Sequence, residues 1–127
     1  MAINNRYLLD TQIFLWWMDG AKKLNNDLIK IIKNPENQIF LSVASIWEIV
    51  IKKTIGKLRM PTNWKDDLGK SGFLILSIEL EHVFKIENLK YHHKDPFDRM
   101  LIAQAKVENL ILITNDPKIR KYNLKTI

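Results

Sequence analysis

Apolar positions along the chain fall into two kinds of run. Tyr7-Leu8-Leu9, Ile39-Phe40-Leu41, Leu74-Ile75-Leu76 and Leu110-Ile111-Leu112-Ile113 are continuously apolar rather than alternating, which predicts strands buried on both faces, as in a parallel sheet. Between them the spacing changes. Leu24, Leu28, Ile31 and Ile32 recur at helical intervals up to the stop at Asn34-Pro35, and Ile46 to Ile55 predicts a second helix closed by Gly56. Asn63 to Lys70, Glu79 to Asn88 and Pro96 to Asn109 predict three more. Strands alternating with helices define an α/β fold, a sandwich around a mostly parallel sheet of four to five strands flanked by helices. Short Leu124 to Ile127 offers the additional edge strand.

No repeat, low-complexity tract or linker interrupts this alternation, so residues 1–127 are read as a single domain. A chain of this length buries roughly two thirds of its unfolded surface and needs no staple to fold. The absence of Cys excludes a disulfide framework, a thiolate metal site and a Cys nucleophile. No apolar run approaches the roughly 20 residues of a membrane span, and the opening Met1-Ala2-Ile3-Asn4-Asn5-Arg6 lacks the pattern of a secretory leader. A cytoplasmic protein with no membrane partner is expected. With 20 Lys+Arg against 14 Asp+Glu the formal charge is +6, which attracts polyanions but by itself selects none.

The acids change the picture more than the charge does. Asp10 directly follows the first strand, and Glu48 is placed in the first turn of the helix after Ile39 to Val43. Asp98 falls in the first turn of the helix opened by Asp95-Pro96, and Asp116 follows the last long strand through Thr114-Asn115. All four thus lie where strand carboxyl ends meet the next element, the reactive edge of parallel α/β sheets. If they converge, each close pair at about 4 Å repels by roughly 4 kcal/mol at an effective dielectric near 20, and several pairs rival the stability of a domain. A divalent cation is then required. Oxygen-only ligands favour Mg²⁺ or Mn²⁺ over Zn²⁺. Each acid also has a structural account. Ser45-Ile46-Trp47-Glu48 matches a capping box, and Glu48 can pair with Lys52 one turn on. Asp95 suits a helix N-cap before Pro96, with Asp98 facing the positive helix end. Asp10 suits a cap for a helix starting at Thr11, and Asp116 before Pro117 suits a turn. Their joint placement favours a site.

Four segments carry a family resemblance: Tyr7-Leu8-Leu9-Asp10-Thr11 followed by Leu15-Trp16-Trp17; Ser42-Val43-Ala44-Ser45-Ile46-Trp47-Glu48-Ile49; His92-His93-Lys94-Asp95-Pro96-Phe97-Asp98-Arg99-Met100-Leu101-Ile102-Ala103-Gln104-Ala105; and Ile113-Thr114-Asn115-Asp116. Together they resemble PIN-domain ribonucleases of the VapC toxin type, nearly end to end. The resemblance implies a PIN-like three-layer sandwich and a Mg²⁺- or Mn²⁺-dependent endoribonuclease, with Asp10, Glu48, Asp98 and Asp116 catalytic. It makes Asp10, Asp98 and Asp116 the metal ligands, with Asp98 and Asp10 principal, and Glu48 a ligand or the group orienting the attacking water. The implied products are a 5′-phosphate and a 3′-hydroxyl. Thr114 is placed to hold a metal-bound water, with packing of its methyl as the equal alternative; Asp95, needed as a cap anyway, is at best a supporting residue. A homodimer and a cognate antitoxin that blocks the acidic pocket are also implied.

Lys52, Lys53, Lys57 and Arg59 after Glu48, and Arg99 after Asp98, suggest a cationic rim for RNA phosphates, with Lys52 and Arg99 its main candidates; a solvated helix face is the alternative. His92 and His93 lack metal-site spacing and read as loop surface, or as groups touching base or phosphate. Trp16 and Trp17 cannot both face inward on one short helix, which suggests either that one lies at a subunit or antitoxin interface or that one packs in the core while the other is partly exposed. Lys118, Arg120 and Lys121 read as solvated surface. Two other Mg²⁺-using folds fail on pattern. A phosphoacceptor receiver domain needs paired acids after the first strand, where Leu8-Leu9 precede Asp10, and an Asp after a middle strand, where Leu41 leads to Ser42. A haloacid-dehalogenase-like phosphatase needs an Asp where Gln12 stands. An inactive PIN-fold binding module is the remaining alternative, and the presence of all four acids counts against it.

Overall fold

The computed structural model describes residues 5–127; Met1 to Asn4, part of the opening stretch judged unlike a leader, lie outside them. Four strands, β1 (Arg6–Leu9), β2 (Gln38–Ser42), β3 (Leu74–Leu76) and β4 (Ile111–Ile113), form one sheet in the order β3-β2-β1-β4, with every pairing parallel. Around it lie α1 (Thr11–Met18), α2 (Asn26–Lys33), α3 (Val43–Thr54), α4 (Trp64–Lys70), α5 (Leu80–Glu87), α6 (Pro96–Glu108) and α7 (Pro117–Arg120). Among the described residues, no helix is long and apolar enough to cross a membrane.

Successive strand side chains point to opposite faces, and the continuous apolar runs therefore feed two cores. Leu9 and Ile113 join Ile13, Phe14, Ile39, Leu41 and Trp64 on one face. Leu8 and Leu112 join Leu101, Ile102 and Ile119 on the other. The helix layers follow from this division, with α1, α2 and α4 over the first core and α6 and α7 over the second. The C-terminal segment continues the sheet past β4 as expected: Thr126 bridges Leu112 in parallel, and the Ile127 N–H donates to the Leu112 carbonyl at 3.0 Å.

Three expectations need correction. The Leu74 to Leu76 run is a strand but is not buried on both faces, because it ends the sheet: Ile75 is 48% exposed. The helix after β2 begins at Val43 and not at Ile46, because the Ser42 hydroxyl caps it by accepting the Ala44 N–H at 3.0 Å. No Ser45–Glu48 capping box exists as a result. Ser45 instead accepts a 3.0 Å hydrogen bond from the Thr11 hydroxyl, and Glu48 falls in the second turn. Finally, Asp116-Pro117 opens a short helix, α7, where only a turn was expected.

Leu112 is fully buried between β1 and the second core. Leu112→Ala is expected to cost about 2–5 kcal/mol, read as a lowered urea midpoint with an unchanged slope.

Candidate metal centre

The carboxyl ends of β1, β2 and β4 open onto one concave face. Three acids there are helix N-caps. Asp10 accepts the Ile13 N–H at 2.8 Å for α1, Asp95 accepts the Asp98 N–H at 2.9 Å for α6, and Asp116 accepts the Lys118 N–H at 2.8 Å for α7. Each cap engages only one carboxylate oxygen, Oδ1 in every case. A cap and a ligand are therefore compatible roles for one side chain, since a carboxylate offers about four acceptor sites. Asp10, Glu48, Asp95, Asp98 and Asp116 all line a single cavity of about 410 Å³. The four acids read from the sequence are brought together, and Asp95 joins them.

The second oxygens are held from behind. Asp10 Oδ2 accepts the Thr114 hydroxyl at 2.6 Å, and Thr114 Oγ1 in turn accepts the Asp116 N–H at 3.0 Å. Glu48 Oε2 is paired with Lys52 Nζ at 2.8 Å, one helical turn on. Glu48 Oε1 is buried with no hydrogen-bond partner. A buried, unpaired carboxylate oxygen is costly to leave unpaired, and here it belongs to a residue that lines the acid cup.

His93 is the residue that sequence reasoning missed. Its Nε2 lies 2.8 Å from Asp98 Oδ2 and 2.9 Å from Asp116 Oδ2. The ring is buried, its Nδ1 accepts the Asp95 N–H at 3.3 Å, and its own backbone N–H donates to the Tyr122 hydroxyl at 2.9 Å. An accepting Nδ1 assigns the ring proton to Nε2. His93 thus ties two acids together as a donor, and the oxygens that remain for a cation are carboxylate oxygens. Nothing in the sequence flags it beyond its place in the loop leading into the Asp95 cap. His92 beside it is exposed, with its ring edge-to-face on Tyr122 at 5.0 Å.

Arg99 is not part of a phosphate rim. Its guanidinium donates to the carbonyls of Ile86, Lys90 and His93 and to the Tyr122 hydroxyl, and lies 4.7 Å from the Tyr91 ring centroid. It clamps the loop that carries His93. Lys52 does stand at the cup, and Arg120, expected as free surface, donates to the Thr114 carbonyl at 2.8 Å. Lys118 and Lys121 are exposed, as expected. Neither Trp16 nor Trp17 is stranded on the surface. Both are half-buried against the first core, with Trp17 beside Phe73 and Trp16 in the wall of the cup.

Crowding is visible in the acidities. Burial, followed by the charges of Asp95, Glu48 and Asp10, pushes Asp98 up to about 7, against a lowering by His93. Asp10 is also raised, chiefly by burial and despite the Thr114 and Ile13 hydrogen bonds. Lys52 is raised by its hydrogen bond to Glu48. Five carboxylates around one cavity, one oxygen buried without a partner and protons retained against repulsion together fit a divalent cation. Oxygen donors suit Mg²⁺ or Mn²⁺.

A parallel α/β sandwich that gathers carboxylates at the carboxyl edge of its sheet defines a class of acid-cup domains. The PIN domain family model matches residues 7–125, and the chain belongs to that family. Among solved structures it is similar to VapBC2 from Rickettsia felis bound to a promoter DNA fragment, at 20% identity over 96% of this chain and 97% of that one, TM-score 0.73. A toxin-antitoxin complex from Klebsiella pneumoniae is 20% identical over 95% of each chain, TM-score 0.66. DNA-bound VapBC from Salmonella typhimurium is 15% identical over 96% of each, TM-score 0.70. At these identities the likeness is one of fold. No curated protein matches the sequence.

The raised Asp98 makes the metal-free protein sensitive to pH. Folded Asp98 keeps its proton up to about 7, whereas an unfolded carboxyl near 3.8 has lost it. The folded state then binds the extra proton, and this contribution to stability falls as pH rises through that window. Melting temperatures in chelator between pH 4 and 8 are expected to show the decline, and Asp98→Asn is expected to flatten it.

Proposed function

We propose that this PIN domain is the toxin of a toxin-antitoxin pair, an endoribonuclease that hydrolyses RNA phosphodiester bonds with Mg²⁺ or Mn²⁺. The observation that carries the reading is the partnerless Glu48 Oε1 in a cup shared with Asp10, Asp95, Asp98 and Asp116. Asp10, Asp98 and Asp116 would hold the ion, with Glu48 as a further ligand or as the group that orients the attacking water. When bound, a divalent ion supplies Lewis acidity at the phosphate and eases deprotonation of water.

The chain's own residues set the geometry. Thr114 fixes the orientation of Asp10, and His93 fixes Asp98 relative to Asp116. Asp95 anchors the first turn of α6, which carries Asp98. Lys52 offsets the charge of Glu48 and presents an ammonium group at the rim, where a substrate phosphate would pass. The expected products are a 5′-phosphate and a 3′-hydroxyl, and the site of action is the cytoplasm.

Toxin-antitoxin complexes among the fold neighbours support a cognate antitoxin as partner. Exposed apolar side chains support a homodimer: α3 leaves Val43, Trp47 and Val50 uncovered at helical spacing, and α5 leaves Leu80, Val83 and Phe84 uncovered. Sedimentation of the purified chain is expected to give a dimer that Phe84→Asp weakens, and a native monomer at micromolar concentration would overturn that part.

The central test is cleavage. RNA is expected to be cut with Mg²⁺ or Mn²⁺ and spared when the metal is chelated. Asp10→Asn and Asp98→Asn are each expected to lower the rate on the order of 10²- to 10³-fold while the protein stays folded, as a native circular-dichroism spectrum would show. Equal cutting by the folded double variant, with contaminating nuclease excluded, would reject the assignment. Sequencing RNA 5′ ends after brief induction, with Asp98→Asn in parallel, would identify the target.

A further inference from the structure

A second charged cavity lies away from the acids. Lys85, Lys90, Lys106 and Lys121 line a cavity of about 300 Å³ together with His92 and Tyr122, and no carboxylate is among its lining residues. An adjoining cavity of about 260 Å³ shares Lys85 and Lys106 and adds Lys125, again without a carboxylate. No residue lines both the acid cup and either of these cavities. Lys106 stands eight residues beyond Asp98 on α6, about 12 Å along the helix. Among the described residues, none of the five lysines forms an ion pair.

Lys85 and Lys106 are half-buried, so each gives up part of its hydration with no acid in return. A sphere of 300 Å³ is about 8 Å across, less than the Debye length of roughly 10 Å at 0.1 M salt, and the lysines therefore repel one another even there. Helix dipoles ease a single cation in a carboxyl-terminal turn, where Lys85 and Lys106 both lie, but they do not account for four around one space. An anion is what the arrangement lacks. Its form follows from the walls. A nucleic-acid strand carries one charge per nucleotide along a line, whereas linked phosphates put several charges into one small volume. A peptide would need apolar anchors, and Leu89 is the one aliphatic residue in the wall of the larger cavity. We infer that the two cavities form one binding site for a small anion with adjacent phosphates, inorganic polyphosphate or a nucleoside polyphosphate, held by Lys85 and Lys106 at its centre and by Lys90 and Lys121 at its rim. The cup contributes no residue to this site, which is therefore independent of the nuclease reading.

The test measures binding to protein freed of divalent ions on a chelating resin, so that no metal can bring phosphate to the cup. Isothermal titration calorimetry at about 0.1 M salt is expected to show one inorganic tripolyphosphate per chain, with a matching rise in melting temperature. Lys85→Gln with Lys106→Gln is expected to weaken binding about tenfold or more, as loss of two charge-assisted hydrogen bonds requires. Lys30→Gln with Lys33→Gln, which takes the same charge from exposed positions on α2, is expected to change it less than about twofold. Orthophosphate is expected to bind about tenfold more weakly than tripolyphosphate, or worse, because it reaches fewer of the lysines. ATP separates the two sources: affinity above that of tripolyphosphate marks a nucleoside polyphosphate, and equal or lower affinity marks inorganic polyphosphate.

Equal weakening by the α2 pair, orthophosphate bound as tightly as tripolyphosphate, or no binding of either tripolyphosphate or ATP would each overturn the inference. So would a single-stranded RNA of about ten nucleotides that loses affinity on Lys85→Gln with Lys106→Gln while tripolyphosphate affinity is unchanged, because the lysines would then serve nucleic acid. If that pair fails to fold, Lys90→Gln with Lys121→Gln, both at exposed positions, decides by the same comparison. None of these results bears on RNA cleavage, so the phosphate site and the nuclease reading fail separately.

Discussion

Like charges forced together at the open edge of a parallel sheet are the constraint around which the rest of this molecule is arranged. Asp10, Glu48, Asp95, Asp98 and Asp116 share one cavity, and at such separations their repulsion competes with the marginal stability of a small domain. The fold answers with fixed donors. Thr114 holds Asp10, Lys52 holds Glu48, and His93 spans Asp98 and Asp116. At three helix N-termini an N–H without an intrahelical partner donates to a carboxylate of the cup, and the helix dipoles favour negative charge there. These devices leave the cup tolerable and still unsaturated, with Glu48 Oε1 lacking a partner.

Support for that arrangement extends well behind the cup. Arg99 draws the carbonyls of residues 86, 90 and 93 together, and the Tyr122 hydroxyl meets both Arg99 and the His93 backbone. The position of one imidazole therefore depends on a loop, on a helix and on a tyrosine in the second core.

Much of this was legible in the sequence because it depends on local rules. Continuous apolar runs marked β1, β2 and β4, since strands covered on two faces have no polar side to show. The i, i+4 spacing of Glu48 and Lys52 anticipated their ion pair, and Asp95-Pro96 anticipated the α6 cap. The losses are equally physical. An edge strand such as β3 has the same composition as an interior one, so its exposure could not be read. Ser42 and Ser45 are both competent caps, and only the point where β2 ends decides between them. Arg99 adjoins Asp98 in the chain, but consecutive helical residues point about 100° apart, which sends the guanidinium away from the acid. His93 meets Asp116 across 23 residues of sequence, a contact that no periodicity encodes.

The double duty of the capping acids also bears on which substitutions the cup can accept without loss of fold. Asparagine caps a helix about as well as aspartate, so drift from Asp to Asn at positions 10 or 116 would take a negative charge out of the cup while leaving the architecture standing. Drift to alanine would remove a helix terminus along with the charge. A chain carrying amides at these positions would therefore keep its helix termini and its fold while its cup lost negative charge, a separation of architecture from electrostatics that alanine does not permit.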